Sequence, residues 1–583
     1  MTARLAHVAC SFAALSGAAR AADAPAPKPD DPIIIIGERT TGALGDIRAA
    51  TQLDENAIAA YGADTVGELL GALATGPDPS GEGPYILING EPASGIEDIA
   101  DLPAEAASKI QLLSRNAAGL LGQRPTRRVI NVVIKPNHRQ LTLNAKGGLA
   151  TAGEVRKGEG EINLLRLTEG NRRSLVLRVS DRDSLLEADR DIIAAPLANS
   201  YDSLGNPISV TDLGRFRTLL PGSFIVSANG NITQRLGRNL LSLTLRGDHQ
   251  ESDARIGPAT AEFNLPASSP FSPFAGDVTV AQIIGGPLTQ ASNSTSLTGA
   301  AVLNGPIGSW RYSVNANLTR RSSLSRSQQG YDLAAIQARI DAGSVNPFLA
   351  PDPSLLGDRR VDRARGMATN GGVQASLNGS PFKLPAGAAR LSLRLEERFN
   401  RAHSSSSGLV GERRLRRNEA LGAANTFLPL ITSKAIGSIG LELSGALHHV
   451  TASGWLHDYG YGLTWDPSSR LSIRAAINRE QIAPPSNALT DPLIRIDNVR
   501  TYDFIRQETV FVTYLTGGNP GLGIERRRTT SIGATWQPFD AADLSINVDY
   551  QGFRGRDAFA ALPPVNADVQ AAFPDRFQRD LSG

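Results

Sequence analysis

The chain has 583 residues and a formal net charge of +2, with 59 Lys and Arg against 57 Asp and Glu, so no charge excess points to a nucleic-acid partner. The single cysteine, Cys10, sits near the amino terminus, which leaves the body of the chain without disulfides or thiol chemistry. Aromatic residues make up only 5%, while 58 Gly and 35 Pro indicate many turns.

The opening MTARLAHVACSFAALSGAARAADAP has a basic start at Arg4, a modest apolar middle, and Ala19-Arg20-Ala21 as a cleavage site. That pattern predicts a secretory signal over residues 1–21. No later run reaches the roughly 18 apolar residues of a membrane helix. An exported chain of this kind enters a membrane, if at all, as strands. Residues 22–52 form a linker segment that contains DDPIIIIGER. Its four isoleucines, Ile33, Ile34, Ile35 and Ile36, precede Gly37 and favour an extended backbone. On residues alone, they are either an edge strand of the domain that follows or a segment kept for pairing with another protein.

Residues 53–137 predict a compact mixed domain. YGADTVGELLGALATG reads as a short helix, with Thr65 and Glu68 at capping-box spacing and Val66, Leu69, Leu70 and Leu73 as its apolar stripe. Tyr85–Ile88 reads as a strand entering an Asn89-Gly90 turn. DLPAEAASKIQLL predicts a second helix, with Pro103 in its first turn, running into a strand over Ile110–Leu113. RRVINVVIKPN predicts a further strand, closed by Pro136.

In this order and spacing, the pieces resemble the plug domain of TonB-dependent outer-membrane receptors. The resemblance is carried by TVGELL, YILINGEP, LPAEAASKIQLL and VINVVIK. Two positions depart from it. Arg115-Asn116-Ala117 stands where the family has Arg-Gly-Pro, and Arg127-Arg128 stands where it has small residues before the last strand. The resemblance implies that Ile33, Ile34, Ile35, Ile36 and Gly37 are the TonB box, an extended segment that adds as a strand to periplasmic TonB. It also implies energy from the inner-membrane ExbB/ExbD motor. Strand addition of this kind takes its affinity from backbone hydrogen bonds.

Residues 138–583 predict a large antiparallel β structure. LLSLTLRGDHQ alternates Leu241, Leu243 and Leu245 with Ser242, Thr244 and Arg246; FIVSANGNIT and SWRYSVNANL do likewise. Short connections such as RLGRN and NGPIGS interleave with long segments at about 191–222, 251–291, 320–365 and 481–525, as transmembrane barrels require. Trp310 and Trp536 lie beside short turns, where an interfacial aromatic belongs. GGNPGLGIE places Gly518, Asn519, Pro520 and Leu522 on the family's Gly-Asn-Pro-x-Leu element, with Glu525 near its acid. The implied fold is mainly β: a transmembrane barrel with a small N-terminal α/β plug. About 15 strands are legible, whereas barrels of this family have about 22. The charged end FPDRFQRDLSG therefore predicts a C-terminally incomplete barrel.

No nucleophile elbow, phosphate loop or zinc spacing occurs, so the sequence predicts no enzyme, no cofactor and no metal site. His448 and His449 are adjacent in a strand and point to opposite faces. SDRDSLLEADRD and GERRLRRNE are acid–arginine clusters that suit either solvated loops or the phosphates of lipopolysaccharide. The expected function is active uptake of a scarce nutrient (a ferric chelate, vitamin or oligosaccharide) by a monomer in the bacterial outer membrane. The short linker before Ile33 predicts no N-terminal signalling domain. Rival readings are a surface-exposed adhesive or structural barrel, a non-functional truncated receptor, and an exported enzyme.

Overall fold

The computed structural model describes residues 49–579 apart from 74–82, 114–116, 125–126, 154, 191, 193–195, 408–411, 452, 469, 537 and 540–545. The signal and Ile33–Gly37 lie outside the described residues. Two sheets organise the chain.

The first belongs to a small α/β domain with five strands: β1 (Ala49–Asp54), β2 (Tyr85–Ile88), β3 (Glu91–Pro92), β4 (Ala107–Leu113) and β5 (Val129–Ile134). Their order is β1-β4-β5-β2-β3, with β1 at one edge and a single parallel pair, β2 with β5. Helices α1 (Glu55–Ala60) and α2 (Val66–Leu73) pack against it, and Ile58, Val66, Leu69, Ile86, Ile99, Ile110 and Val132 form the core. The α2 start follows its sequence: the Glu68 amide donates to Thr65 Oγ1 at 3.2 Å. The Glu68 carboxylate reaches back to the Asp64 amide at 3.0 Å, one residue ahead of the expected capping-box partner. The predicted hairpin is present, with Asn89 at φ 51° and Gly90 at φ 80°, the left-handed pair that a two-residue turn demands.

The second helix predicted from Pro103 does not form. Only a single 3₁₀ turn, Ala104–Ala106, precedes β4, which begins at Ala107. The reason is pairing: Ala107–Leu113 is held between β1 and β5, and two ladders outweigh the helix propensity of a few alanines.

One contact in this domain depends on the absence of a side chain. Gly67 donates its amide to Ala100 O at 3.0 Å, and a Cβ added there would meet that oxygen at 2.8 Å. Alanine is the better helix former, yet Gly67→Ala is expected to destabilise the domain by about 1–3 kcal/mol through overpacking. Faster hydrogen exchange over residues 95–102 checks this.

The second sheet is a fifteen-stranded antiparallel meander. Its strands are β6 (Asn137–Leu149), β7 (Arg156–Thr168), β8 (Asn171–Arg182), β9 (Gly222–Leu236) and β10 (Asn239–Leu265). They continue with β11 (Val278–Ile307), β12 (Trp310–Tyr331), β13 (Arg359–Gly379), β14 (Arg390–Ser406) and β15 (Arg413–Ser433). The last are β16 (Gly437–Val450), β17 (Gly454–Ser468), β18 (Leu471–Ile482), β19 (Glu525–Trp536) and β20 (Ile546–Arg556). Each pairs with the next; among the described residues no ladder joins β20 back to β6. Pro136 turns the chain from β5 directly into β6.

The alternation read from sequence sets the faces. On β10, Ser242 and Thr244 are buried toward the α/β domain, while Leu243 and Leu245 point away and are 45% and 60% exposed. The same division holds along β17, where Tyr459, Tyr461, Leu463 and Trp465 face outward and Asp458 faces in. Trp310, Trp465 and Trp536 all stand at the end of the sheet that carries the short turns.

Two of the four long connections prove to be strand for much of their length. β10 has 27 residues and β11 has 30, and only 266–277 connects them. Beyond Asp253 and before Gln290 these two strands pair, within the sheet, only with each other, so the hairpin projects past its neighbours. The segment 251–291 reads as a loop because Gly257, Pro258, Gly285, Gly286 and Pro287 interrupt the strands with breaker residues and register shifts, although alternation resumes beyond them, with Ala261, Phe263 and Leu265 buried and Glu262 and Asn264 exposed. The projecting part holds its own core: Phe263, Leu265 and Val280 pack on Ile336 and Ile340 of α4 (Ala334–Asp341).

Candidate functional site: the inner wall and the domain it holds

The turn Gly95–Asp101 projects from the α/β domain with three acids, and each meets the inner face of the wall. Asp98 is buried. Its Oδ2 accepts from the Ser94 amide at 2.8 Å, and its Oδ1 from Asn231 Nδ2 at 3.0 Å and from the Thr244 hydroxyl. Arg172 of β8, 2% exposed, places Nη2 3.9 Å from Asp98 and donates Nε to Asn231 at 2.7 Å. Its two terminal nitrogens make no hydrogen bond among the described residues. Glu97 pairs with Arg246. Asp101 lies 3.6 Å from Arg178 and accepts from Asn229 at 2.9 Å, and its carbonyl accepts from Asn163 at 2.8 Å. Four neighbouring strands, β7 to β10, thus hold one turn.

Two further contacts fix the domain elsewhere. At the β2–β3 hairpin, Glu91 pairs with Arg311, and Asn304 donates to Pro92 O at 2.7 Å. Burial raises the Glu91 carboxyl above the ordinary range, against the pull of Arg311 and Arg235. At the short helix α3 (Ala117–Leu120) and the residues after it, Arg394 donates to Gln123 Oε1 at 3.4 Å. Gly122, at φ 78°, lets the chain approach Ser392, whose hydroxyl a Cβ would meet at 2.5 Å. Beside it, burial pushes the Tyr85 phenol up to about 12, despite Arg127 and Arg394, so the hydroxyl keeps its proton.

Beyond these contacts the inner face of β14 to β19 is a run of paired charges. Arg474 meets Glu442 at 2.8 Å, Arg527 meets Glu525 at 2.8 Å, and Arg417 lies 3.7 Å from Glu419. His448 is 1% exposed, with Nε2 2.8 Å from Asp458 and Nδ1 3.4 Å from Glu419. His449 lies on the other face against Trp455, as adjacent strand residues must. The segment after β18 folds back onto this wall. Ser404 donates to Thr490 O and Arg413 to Gly518 O, both at 3.0 Å. The Gly518-Asn519 pair donates its amides to Asp491 O at 3.0 Å and Ala488 O at 2.6 Å.

The residues singled out in sequence divide accordingly. GERRLRRNE splits by register: Arg413 and Arg417 face inward, Arg414 and Arg416 outward. In SDRDSLLEADRD, Asp189 caps the Leu186 amide and Arg190 donates to Ala152 and Gly153 carbonyls, so these charges serve local loop structure. Sequence reading missed Glu97, Asp98 and Asp101. The available signal was three acids in the seven residues GIEDIAD, beside a domain whose partner strands carry arginine on the polar face. Among the described residues no cluster of three or more His, Cys, Asp or Glu could hold a metal. The arrangement presents paired charges on one face and holds a small domain by them.

No family model matches the chain, and no curated protein does. Among solved structures it is similar to a mutant of the ferric enterobactin receptor of Pseudomonas aeruginosa, at 15% identity and TM-score 0.47, covering 88% of this chain and 72% of that one. It is also similar to the siderophore receptor PirA of Acinetobacter baumannii (13%, TM-score 0.42, 81% and 69% covered). A third is the RagAB peptide importer (12%, TM-score 0.42, 80% and 60% covered).

Proposed function

We propose that the chain is a TonB-dependent outer-membrane receptor that takes up a scarce nutrient, with the α/β domain as its plug. One observation carries the reading: a long antiparallel wall is apolar outward and charged inward, and it grips a small domain mainly through polar contacts, with only Leu165 and Leu167 of β7 joining that domain's apolar core. That division of faces suits a boundary between lipid and water, where backbone groups must be paired, so the open edges of β6 and β20 would have to be covered there. Polar contacts exchange for water at low net cost, whereas a dry apolar interface would not. The plug is therefore held firmly yet can be moved by work from outside.

In this reading Ile33–Gly37 is the handle. TonB adds to it as a strand, the ExbB/ExbD motor supplies the pull, and the chain performs no bond chemistry. The ligand class is a nutrient too large for general pores.

The test begins with a knockout strain grown on defined iron and carbon sources, to find the condition in which the intact chain restores growth. Deleting residues 33–37 should then abolish rescue while the protein still fractionates with outer membranes. Undiminished rescue by the deletion variant overturns the reading.

A further inference from the structure

His448 stands on the inner face of β16 with an acid at each ring nitrogen, one from either neighbouring strand. Nε2 lies 2.8 Å from Asp458 of β17, and Nδ1 lies 3.4 Å from Glu419 of β15. Directly opposite His448 in the two ladders stand Leu421 and Leu456, both buried. The ring is thus flanked by apolar side chains and meets polar groups at its two nitrogens. Other charged groups approach from each side. From β14, Arg398 stands opposite Glu419; from β15, Arg417 lies 3.7 Å from Glu419 and donates to Pro484 O of the segment that folds back after β18. From β18, the Gln481 amide donates to the other Asp458 oxygen at 2.9 Å. Glu480 of the same strand lines a cleft with Asp458, and Gln123 and Arg124 of the α/β domain line its far side.

An ionised carboxylate only accepts hydrogen bonds, and a neutral imidazole has one N–H to give. With an acid at each nitrogen, the neutral ring must turn a lone pair toward one of them. The doubly protonated ring donates to both, in charge-assisted bonds that are stronger than neutral ones. Little water can make up the difference, because His448 is almost wholly buried. A single proton therefore sets two inter-strand contacts and the charge that the wall turns toward Arg124.

We infer that His448 is a proton-operated clasp across β15, β16 and β17, shut when its ring carries both protons and slack when it carries one. Histidine is the side chain whose charge changes near neutral pH, at about 6.5 for a free ring. In mildly acid surroundings the clasp stiffens the wall beside the small domain. In mildly alkaline surroundings it leaves Asp458 to the cations across the cleft, Arg124 among them. The clasp belongs to the wall itself and holds or fails independently of what the chain transports.

Hydrogen exchange on the full chain in detergent tests the clasp, with each rate corrected for the intrinsic effect of pH. Protection over β16 and β17 should be about tenfold higher near pH 6 than near pH 8, the worth of one charge-assisted hydrogen bond. His448→Gln, which takes up no second proton, should show the same protection at both. Asp458→Asn is the sharper variant, because its amide can donate to the neutral ring as well as accept from it. Its pH dependence should fall below about twofold, whereas a merely structural contact would weaken alike at both pH values. Equal parental protection at the two pH values overturns the inference. So does a pH dependence that persists undiminished in Asp458→Asn, the variant that decides if His448→Gln does not fold.

Discussion

Asp98→Ala is expected to free the Gly95–Asp101 turn from the wall and to cost about 3–5 kcal/mol, the usual penalty for stranding one charge of a buried pair. Arg172 is the stranded charge. It is almost wholly buried, its Nε bond to Asn231 remains, and with Asp98 gone no carboxylate replaces the one 3.9 Å away. Asn231 and Thr244 lose their shared acceptor at the same time. The double change Asp98→Ala/Arg172→Met should recover most of the loss, because an apolar chain of similar length carries no charge to desolvate. Urea unfolding in detergent, together with hydrogen exchange over residues 95–102, reads both effects. Equal stability of Asp98→Ala and the parent would mean that the turn is held by its other contacts alone.

The second large effect concerns the outer face. Leu395→Arg puts a charge on the outward face of β14, between Ala375 and Gly422, and should cost about 2–4 kcal/mol for folding in lipid vesicles. Gln374→Arg, on the neighbouring strand β13, points inward beside Glu396 and should change stability little. Guanidinium titration of both variants into vesicles makes the comparison. The contrast is what matters: a soluble sandwich would have no lipid-facing side, and the two substitutions would then differ only by ordinary burial.

The elements legible in the sequence were those whose signal is local. Thr65 and Glu68 mark the start of α2, Asn89-Gly90 fixes a turn by its own backbone preferences, and the two-residue period assigns Leu243 and Thr244 to opposite faces. The elements that failed were decided at a distance. Ala104–Lys109 had helical composition but was captured with the expected strand Ile110–Leu113 by β1 and β5, strands from both sides of it in the sequence. The extensions of β10 and β11 carry breaker residues, Gly257-Pro258 and Gly285-Gly286-Pro287, which only the pairing of the two strands overrides. Asp98 and Arg172 could each be read as solvated, since nothing local says that one register brings them together. Strand register is the last thing a single sequence discloses.

The strand β1 stands at the rim of its sheet, bonded only to β4, and it is the first described strand after the amino-terminal segment. Tension arriving from that side meets β1 before anything else. Stripping it away breaks a single ladder and leaves the other four strands zipped. The little domain can thus yield in stages, like a seam that opens one stitch row while the cloth behind it stays whole.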